Sequence, residues 1–415
     1  MNARPRAAYL FAAVALTALF LPLSFVIPAL LATAGVTVLD ALVARRTPVL
    51  ERLAPALLSR GVPAPYRLAI ASPTPGHTRL RQPTPPDLTV EPAEAAESIE
   101  GSIVAGRRGR HVLPTPAVRT DGPLGLGCWF HRSGEAQEIH VYPDLPTAFR
   151  LAAAVRRNRF REAGERVRGA LGLGTEFESI RDYLPDDDFR QINWRATHRL
   201  GRPMSNQYRI EQDRDVVCAL DIGRLMAAPL GDLTRLDAAI DATAAVAAVA
   251  DVVGDRCGTL AFDSKVVRTI EPKRKGARAV IGALFDLEPT SADSDYELAF
   301  QTIRDRKRAF VLVLTDLLEE SAARPLVEAV PLLAQRHAIA VASAADTDLD
   351  DFVQREPNKP ADVYQAAVAL EVLSARRRVA AKLSRAGAEV VEAAPGRLAA
   401  ACVAAYLRAK RRARL

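Results

Sequence analysis

Two aspartates sit where sheet-based chemistry would need them. The apolar run Val216-Val217-Cys218-Ala219-Leu220 ends in Asp221, and Phe310-Val311-Leu312-Val313-Leu314 ends in Thr315-Asp316. In an open α/β sheet, ligands bind beyond the carboxyl ends of the strands. Two carboxylates converging there could hold a divalent cation, which asks for hard oxygen ligands. They could equally cap the following loops by accepting backbone N–H groups. Other chemistries lack their signatures. The chain has no GxxxxGK[ST] loop and no GxSxG elbow, and Gly172-Leu173-Gly174 continues without the third glycine of a dinucleotide site. Cys128 lies too close in sequence to His131 for an ordinary thiol–imidazole pair. A metal-dependent enzyme built on Asp221 and Asp316 is the rival reading. It would need a general base, and His198 and His337 read as packing or surface residues.

The elements that would position these aspartates follow a strand–helix alternation. Gly258–Phe262, Ala338–Ala342 and Glu389–Val391 are further apolar runs, and helical stretches lie near 293–306, 319–336, 360–384 and 396–412. Thr234 with Asp237 forms a capping arrangement, Val246, Val249 and Val253 make an i, i+3, i+7 stripe, and Gly254 can close that helix. Continuous apolar strands between helices predict a parallel sheet covered on both faces, over 215–415.

Upstream, prolines are frequent over 48–150. The runs 66–70, 98–104 and 138–142 predict strands of a small β-sandwich. Residues 151–170 read as a basic helix. At 415 residues the chain holds two or three domains, and 49% hydrophobic with 25% charged residues excludes whole-chain disorder. Four scattered cysteines make neither a disulfide framework nor a zinc knuckle, which suits a reducing compartment. The net charge is +7, with arginines spread through every segment and the densest cluster at Arg408, Lys410, Arg411, Arg412 and Arg414. This tail reads as a solvated helix end, with anionic lipid as the sharper alternative; no nucleic-acid motif accompanies it, and no nucleic acid is expected.

The stretch Ala7–Leu39 carries no charge, long for one crossing of roughly 20 residues and short for two. Pro22 and Pro28 fall near its middle, and arginines flank both ends. The reading is a transmembrane hairpin within 1–47, spans 7–21 and 24–41, with the soluble bulk on the cytoplasmic side of the cell (inner) membrane. A signal peptide ending at Ala32-Thr33-Ala34 and a single tilted span are the alternatives.

Between the two halves, over 151–214, carboxylates, arginines and aromatics interleave at short range. Burying Trp194 there would anchor a packed corner. The segment either pins the sandwich to the α/β domain or forms a recognition surface. Its residues Glu176, Phe177, Arg181, Asp182, Tyr183, Asp187, Arg190, Asn193 and Trp194 resemble the signature of the domain-of-unknown-function family numbered 58, and Asp121–Leu126 resembles that family's preceding β-rich part. Asp186 departs from the pattern, standing where the family has a glycine before its turn aspartate.

The resemblance implies a von Willebrand factor A-like (Rossmann-type) C-terminal domain and a partner, a MoxR-type AAA+ ATPase. It also implies a metal-ion-dependent adhesion site. In the loop Asp221-Ile222-Gly223-Arg224-Leu225, Gly223 and Leu225 replace both hydroxyl ligands, while Ser294 stands in for the threonine and Asp316 matches the last aspartate. Such a remnant would take magnesium or manganese, but it has lost much of its oxygen cage, and no cofactor is expected. The overall expectation is a membrane-anchored, non-enzymatic interaction protein.

Overall fold

The computed structural model describes residues 2–72, 74, 76–157, 161–162, 165–166, 176–184, 187, 189–209, 213–316 and 320–411. They form two compact units, Met1–Tyr142 and Pro143–Leu415.

The first unit opens with helices α1 (Pro5–Leu16) and α2 (Leu23–Val43). At roughly 1.5 Å per residue α2 is about 31 Å long, matching a hydrocarbon core of about 30 Å. It alone among the described helices is long and apolar enough to cross a membrane. The other expected span is shorter, because α1 gives way to a 3-10 turn at Thr17–Leu19. Pro22 caps α2, as a turn proline should, whereas Pro28 lies inside it.

Behind the helices stand three sheets. Ala64–Ile70, Ser98–Ala105 and Gln137–Tyr142 are strands, slightly longer than their apolar runs suggest. Alternation puts Leu68, Leu80, Val90, Ile99, Ile103, Val118, Ile139 and Val141 into one core.

The second unit opens with α3 (Leu145–Arg156). The basic helix expected over 151–170 ends there, and Arg161–Glu162 instead pairs with Glu165–Arg166. Like charges at helical spacing, such as Arg157 and Arg161, together with Gly164, work against continuation. A short hairpin, Glu176–Asp182 against Met204–Arg209, flanks α4 (Trp194–Leu200).

The main sheet then forms from β1 (Asp215–Asp221), β2 (Arg256–Phe262), β3 (Val266–Arg274), β4 (Ala309–Leu314), β5 (Ala338–Ala344) and β6 (Glu389–Ala393). Its order is 3-2-1-4-5-6, with β3 antiparallel and the other five parallel. That order is the doubly wound one, and it reverses direction between β1 and β4. Helices α6 (Tyr296–Arg304), α7 (Glu320–Ala334) and α8 (Pro360–Arg385) supply Phe300, Leu326, Val330, Val379 and Leu383 to the core that also holds Val217, Ala219, Val311 and Val313. Helix α5 (Arg235–Val253) is buried almost all round, and its alanine-rich sequence lets neighbours approach from every side. Thr234 and Asp237 cap it reciprocally, and Gly254 ends it at φ +89°.

Helix α9 (Pro395–Arg411) corrects the reading of the basic tail as solvated. Lys410 Nζ lies 2.6 Å from a buried Asp255 carboxylate oxygen, and Arg408 pairs with Glu389. The Tyr406 hydroxyl donates to the same Asp255. Arg412 and Arg414 lie outside the described residues.

Candidate functional site

The switch point between β1 and β4 brings the two candidate aspartates to one edge of the sheet, but into separate networks. Asp221 ends β1 and is buried. Its Oδ1 accepts from Gly223 N (2.8 Å) and from the Ser294 hydroxyl, while Oδ2 accepts from Tyr296 Oη (2.9 Å) and Thr315 Oγ1 (2.6 Å). Tyr296 Oη and Thr315 Oγ1 lie 2.7 Å apart, so the two hydroxyl hydrogens are shared among three contacts. Burial, and then the neighbouring Asp221 charge, push the Tyr296 phenol well above its ordinary pKa. Edge-to-face packing on Phe262 and Phe300 holds its ring in place.

Gly223 has a role here that its loop position alone does not reveal. A Cβ at that position would overlap Ser294 Oγ, so the missing side chain is what lets the serine reach Asp221. The 290–294 segment is fastened to this loop by backbone bonds from Thr290 N to Ile222 O (2.7 Å) and from Arg224 N to Ala292 O (2.9 Å).

Asp316 faces arginines instead. Its Oδ1 lies 3.1 Å from Arg235 Nη1 and 3.5 Å from Arg376 Nη2, and the two guanidinium groups are 4% and 2% exposed. Arg235 also donates to the Ala344 carbonyl at 3.0 Å and faces Asp346, while Arg376 faces Glu392. Burial lowers the Arg235 pKa; the nearby carboxylates, Asp316 foremost, oppose that fall. Two guanidinium ions thus stand beside the carboxylate that a metal would need. Among the described residues, no group of three or more His, Cys, Asp or Glu side chains could hold an ion. Sequence reading names Asp221, Ser294 and Asp316 but misses Tyr296, Arg235 and Arg376. A lone arginine opening an alanine-rich helix was the signal for Arg235. For Arg376, the run Arg376-Arg377-Arg378 conceals which member turns inward.

The signature segment splits likewise. Arg181 and Asp187 form a bidentate pair at 2.6 and 2.8 Å, and this hydrogen bonding holds the Asp187 carboxyl below its usual range. Asp187 also accepts from Leu184 N, and its carbonyl accepts from the Tyr183 hydroxyl at 3.0 Å. Asp182 pairs with Arg202 at the surface. Asn193 caps α4 through Ala196 N and donates to Asn206. Trp194 corrects the packed-corner expectation: it is 70% exposed, and Phe189 is 68% exposed. The first helical position of α4 points it outward, and Ala196 is the residue that faces in. Glu176 and Phe177 lie on the hairpin strand and Arg190 in a 3-10 turn, their side chains outside the described residues, as is Asp186.

No curated protein matches the chain. Among solved structures, the crystal structure of an aerotolerance-related membrane protein from Bacteroides fragilis NCTC 9343, with multiple mutations to serines, is similar at 14% identity. The match covers 47% of this chain and 98% of that one, with a TM-score of 0.32. The model of the family described as "Protein of unknown function DUF58" matches residues 179–388, just over half the chain, and the chain belongs to that family.

Proposed function

We propose that the protein is a membrane-anchored, non-enzymatic interaction module, with a von Willebrand factor A-like second unit that engages a MoxR-type AAA+ ATPase in the cytoplasm. The observation that carries this reading is the closure of the switch point. Asp221 is met by the chain's own hydroxyls and a backbone amide, and Asp316 is faced by two buried guanidinium groups, so the rim serves as a shaped surface. The strand order with its reversed β3 supports the fold assignment. Exposed Trp194 and Phe189 add bulky aromatics of the kind that dominate protein interfaces.

The two-span hairpin gains support from its ends. Arg4 N donates to the Leu126 carbonyl, and Asp40 accepts from Leu124, Leu126 and Gly127 N, so α1 starts and α2 finishes at one turn. Apolar limbs that leave and return at one place put both flanks on one side, and the arginines select the cytoplasm. Crosslinking in native membranes followed by affinity capture should recover an AAA+ ATPase with the full chain, and Trp194→Ala should reduce the yield. Capture that never returns such an ATPase would sink the partnership. Digestion of the bulk by protease added to intact cells would reverse the topology.

A further inference from the structure

Helix α8 turns an apolar side to solvent. It passes the carboxyl edge of the sheet at Arg376, which meets Asp316 and Glu392 there. The residues before Arg376, about 24 Å of helix, lead away past that edge. The short helix Thr347–Gln354 packs along α8. At about 100° per residue, Val363, Tyr364, Ala367, Val368 and Leu370 fall on one side of the helix. The four larger ones are between 44% and 74% exposed. Ala369, Arg376, Val379 and Leu383, on the other side, are buried. A surface helix ordinarily gives its polar side to water, and a contiguous apolar stripe in that place marks an interface.

Charge is ordered along the same helix. Exposed acids precede the stripe: Asp348, Asp350 and Asp351 on the short helix, and Glu356 in the loop after it. Among the described residues, none of these four carboxylates has a basic partner. Over 346–371 seven carboxylates stand against Arg355 and Lys359 alone, in a chain whose net charge is +7. Exposed cations follow the stripe. Arg377, Arg378, Lys382 and Arg385 continue the side that it occupies.

We infer that two copies of the chain pair through this stripe, α8 against α8 in antiparallel orientation about a two-fold axis. The pairing goes beyond the ATPase partnership and does not depend on it. Such an axis sets the same patch against itself, so the patch must be its own complement. With the axis beside Ala367, the smallest residue of the stripe, the apolar positions of one copy cover those of the other. Arg377 and Arg378 lie ten and eleven residues after Ala367, and Glu356 lies eleven before it. The arginines of each copy then stand level with Glu356 and the end of the acidic helix on the other. A parallel pairing would set acids on acids and arginines on arginines, which suppresses association.

The test uses the full chain in mild detergent. All four native cysteines are buried, so an introduced surface thiol reports alone. Under mild oxidation Ala367→Cys should give about tenfold more disulfide-linked dimer than Gln301→Cys, at an exposed position of α6. Copies carrying Val363→Cys should crosslink to copies carrying Leu370→Cys, and neither to itself. Self-crosslinking of each would mean a parallel pair and overturn the arrangement. Adding Tyr364→Glu and Val368→Glu to Ala367→Cys should cut the dimer about tenfold. Arg377→Glu with Arg378→Glu should cut it about threefold, and Asp350→Arg with Asp351→Arg in the same chain should bring it back. A yield from Ala367→Cys no greater than from Gln301→Cys overturns the inference, and so does one that the stripe substitutions leave unchanged. Without any crosslink, light scattering should give the unaltered chain twice the mass of the variant carrying Tyr364→Glu and Val368→Glu; equal masses overturn the pairing. If the thiol at 367 joins only a different protein in native membranes, the stripe belongs to another partner and the pairing fails.

Discussion

Asp221 and Asp316 stand at the same edge of one sheet and are neutralised by opposite means. Asp221 is held by hydroxyls and a backbone amide; Asp316 is held by two buried guanidinium ions. The difference matters because a hydroxyl both donates and accepts, whereas a guanidinium only donates. The Asp221 network can therefore rearrange around a changed partner. The Asp316 network is committed to a negative charge.

The largest effect should come from removing that charge. Asp316→Asn leaves Arg235 and Arg376 buried without their shared counterion and should cost about 3–5 kcal/mol in urea unfolding of the full chain. Replacing the set together, with Arg235→Met, Asp316→Leu and Arg376→Met, should recover most of that loss, because the desolvation penalty of the ions disappears with them. A triple variant no more stable than Asp316→Asn would mean that the arginines stabilise the fold by packing. Lys410→Met should show a loss of similar size, because Asp255 then stays buried with only the Tyr406 hydroxyl and the Arg214 amide beside it.

Asp221→Asn should cost less, about 1–2 kcal/mol, because the Tyr296 and Thr315 hydroxyls can turn to accept from the new amide. If it cost as much as Asp316→Asn, the contrast between the two sites would collapse. Gly223→Ser sharpens the same point. The added side chain collides with Ser294 Oγ and should destabilise by about 1–3 kcal/mol, and Ser294→Gly in the same chain should relieve it.

Those contrasts also mark how far the sequence alone could reach. Apolar runs gave β1, β2, β4, β5 and β6 within a few residues, because a strand buried on both faces writes its burial continuously into its composition. The edge strand β3 was missed, since Val266–Arg274 alternates half-buried and exposed residues and carries five charged or prolyl positions that mask the pattern. Asp221 and Asp316 were found because strand ends are predictable. Their partners were not. Tyr296 lies 75 residues beyond Asp221, and Arg235 lies 81 before Asp316; only the closed fold brings them together. The outward turn of Trp194 was equally hidden, because a seven-residue helix buries one face and composition does not say which.

Magnesium tests the shared consequence of the two closures. A ligand that binds only the folded state raises its stability by RT ln(1 + [L]/Kd). Millimolar magnesium or manganese should leave the melting temperature of the full chain unchanged, since every Asp221 oxygen already accepts two bonds and Asp316 is faced by cations. A clear rise would reopen the metal-site reading.

Alkaline pH should separate the sites most finely. The Tyr296 phenol is kept neutral by burial and by the Asp221 charge, so its folded pKa is raised above the unfolded value of about 10. Above that pH the unfolded chain gives up a proton that the native chain keeps, and linkage makes stability fall as pH rises. Tyr66, pushed up to about 12 by burial, and Tyr406 add to the same slope from elsewhere in the chain. The informative quantity is therefore the difference between wild type and Tyr296→Phe, followed by urea unfolding from neutral pH to just above 10. The variant should begin less stable, through the lost bonds to Asp221 and Thr315, and the gap should narrow as pH climbs. A gap that stayed constant would mean Tyr296 ionises as freely in the fold as out of it, and the hydroxyl closure around Asp221 would lose its central member.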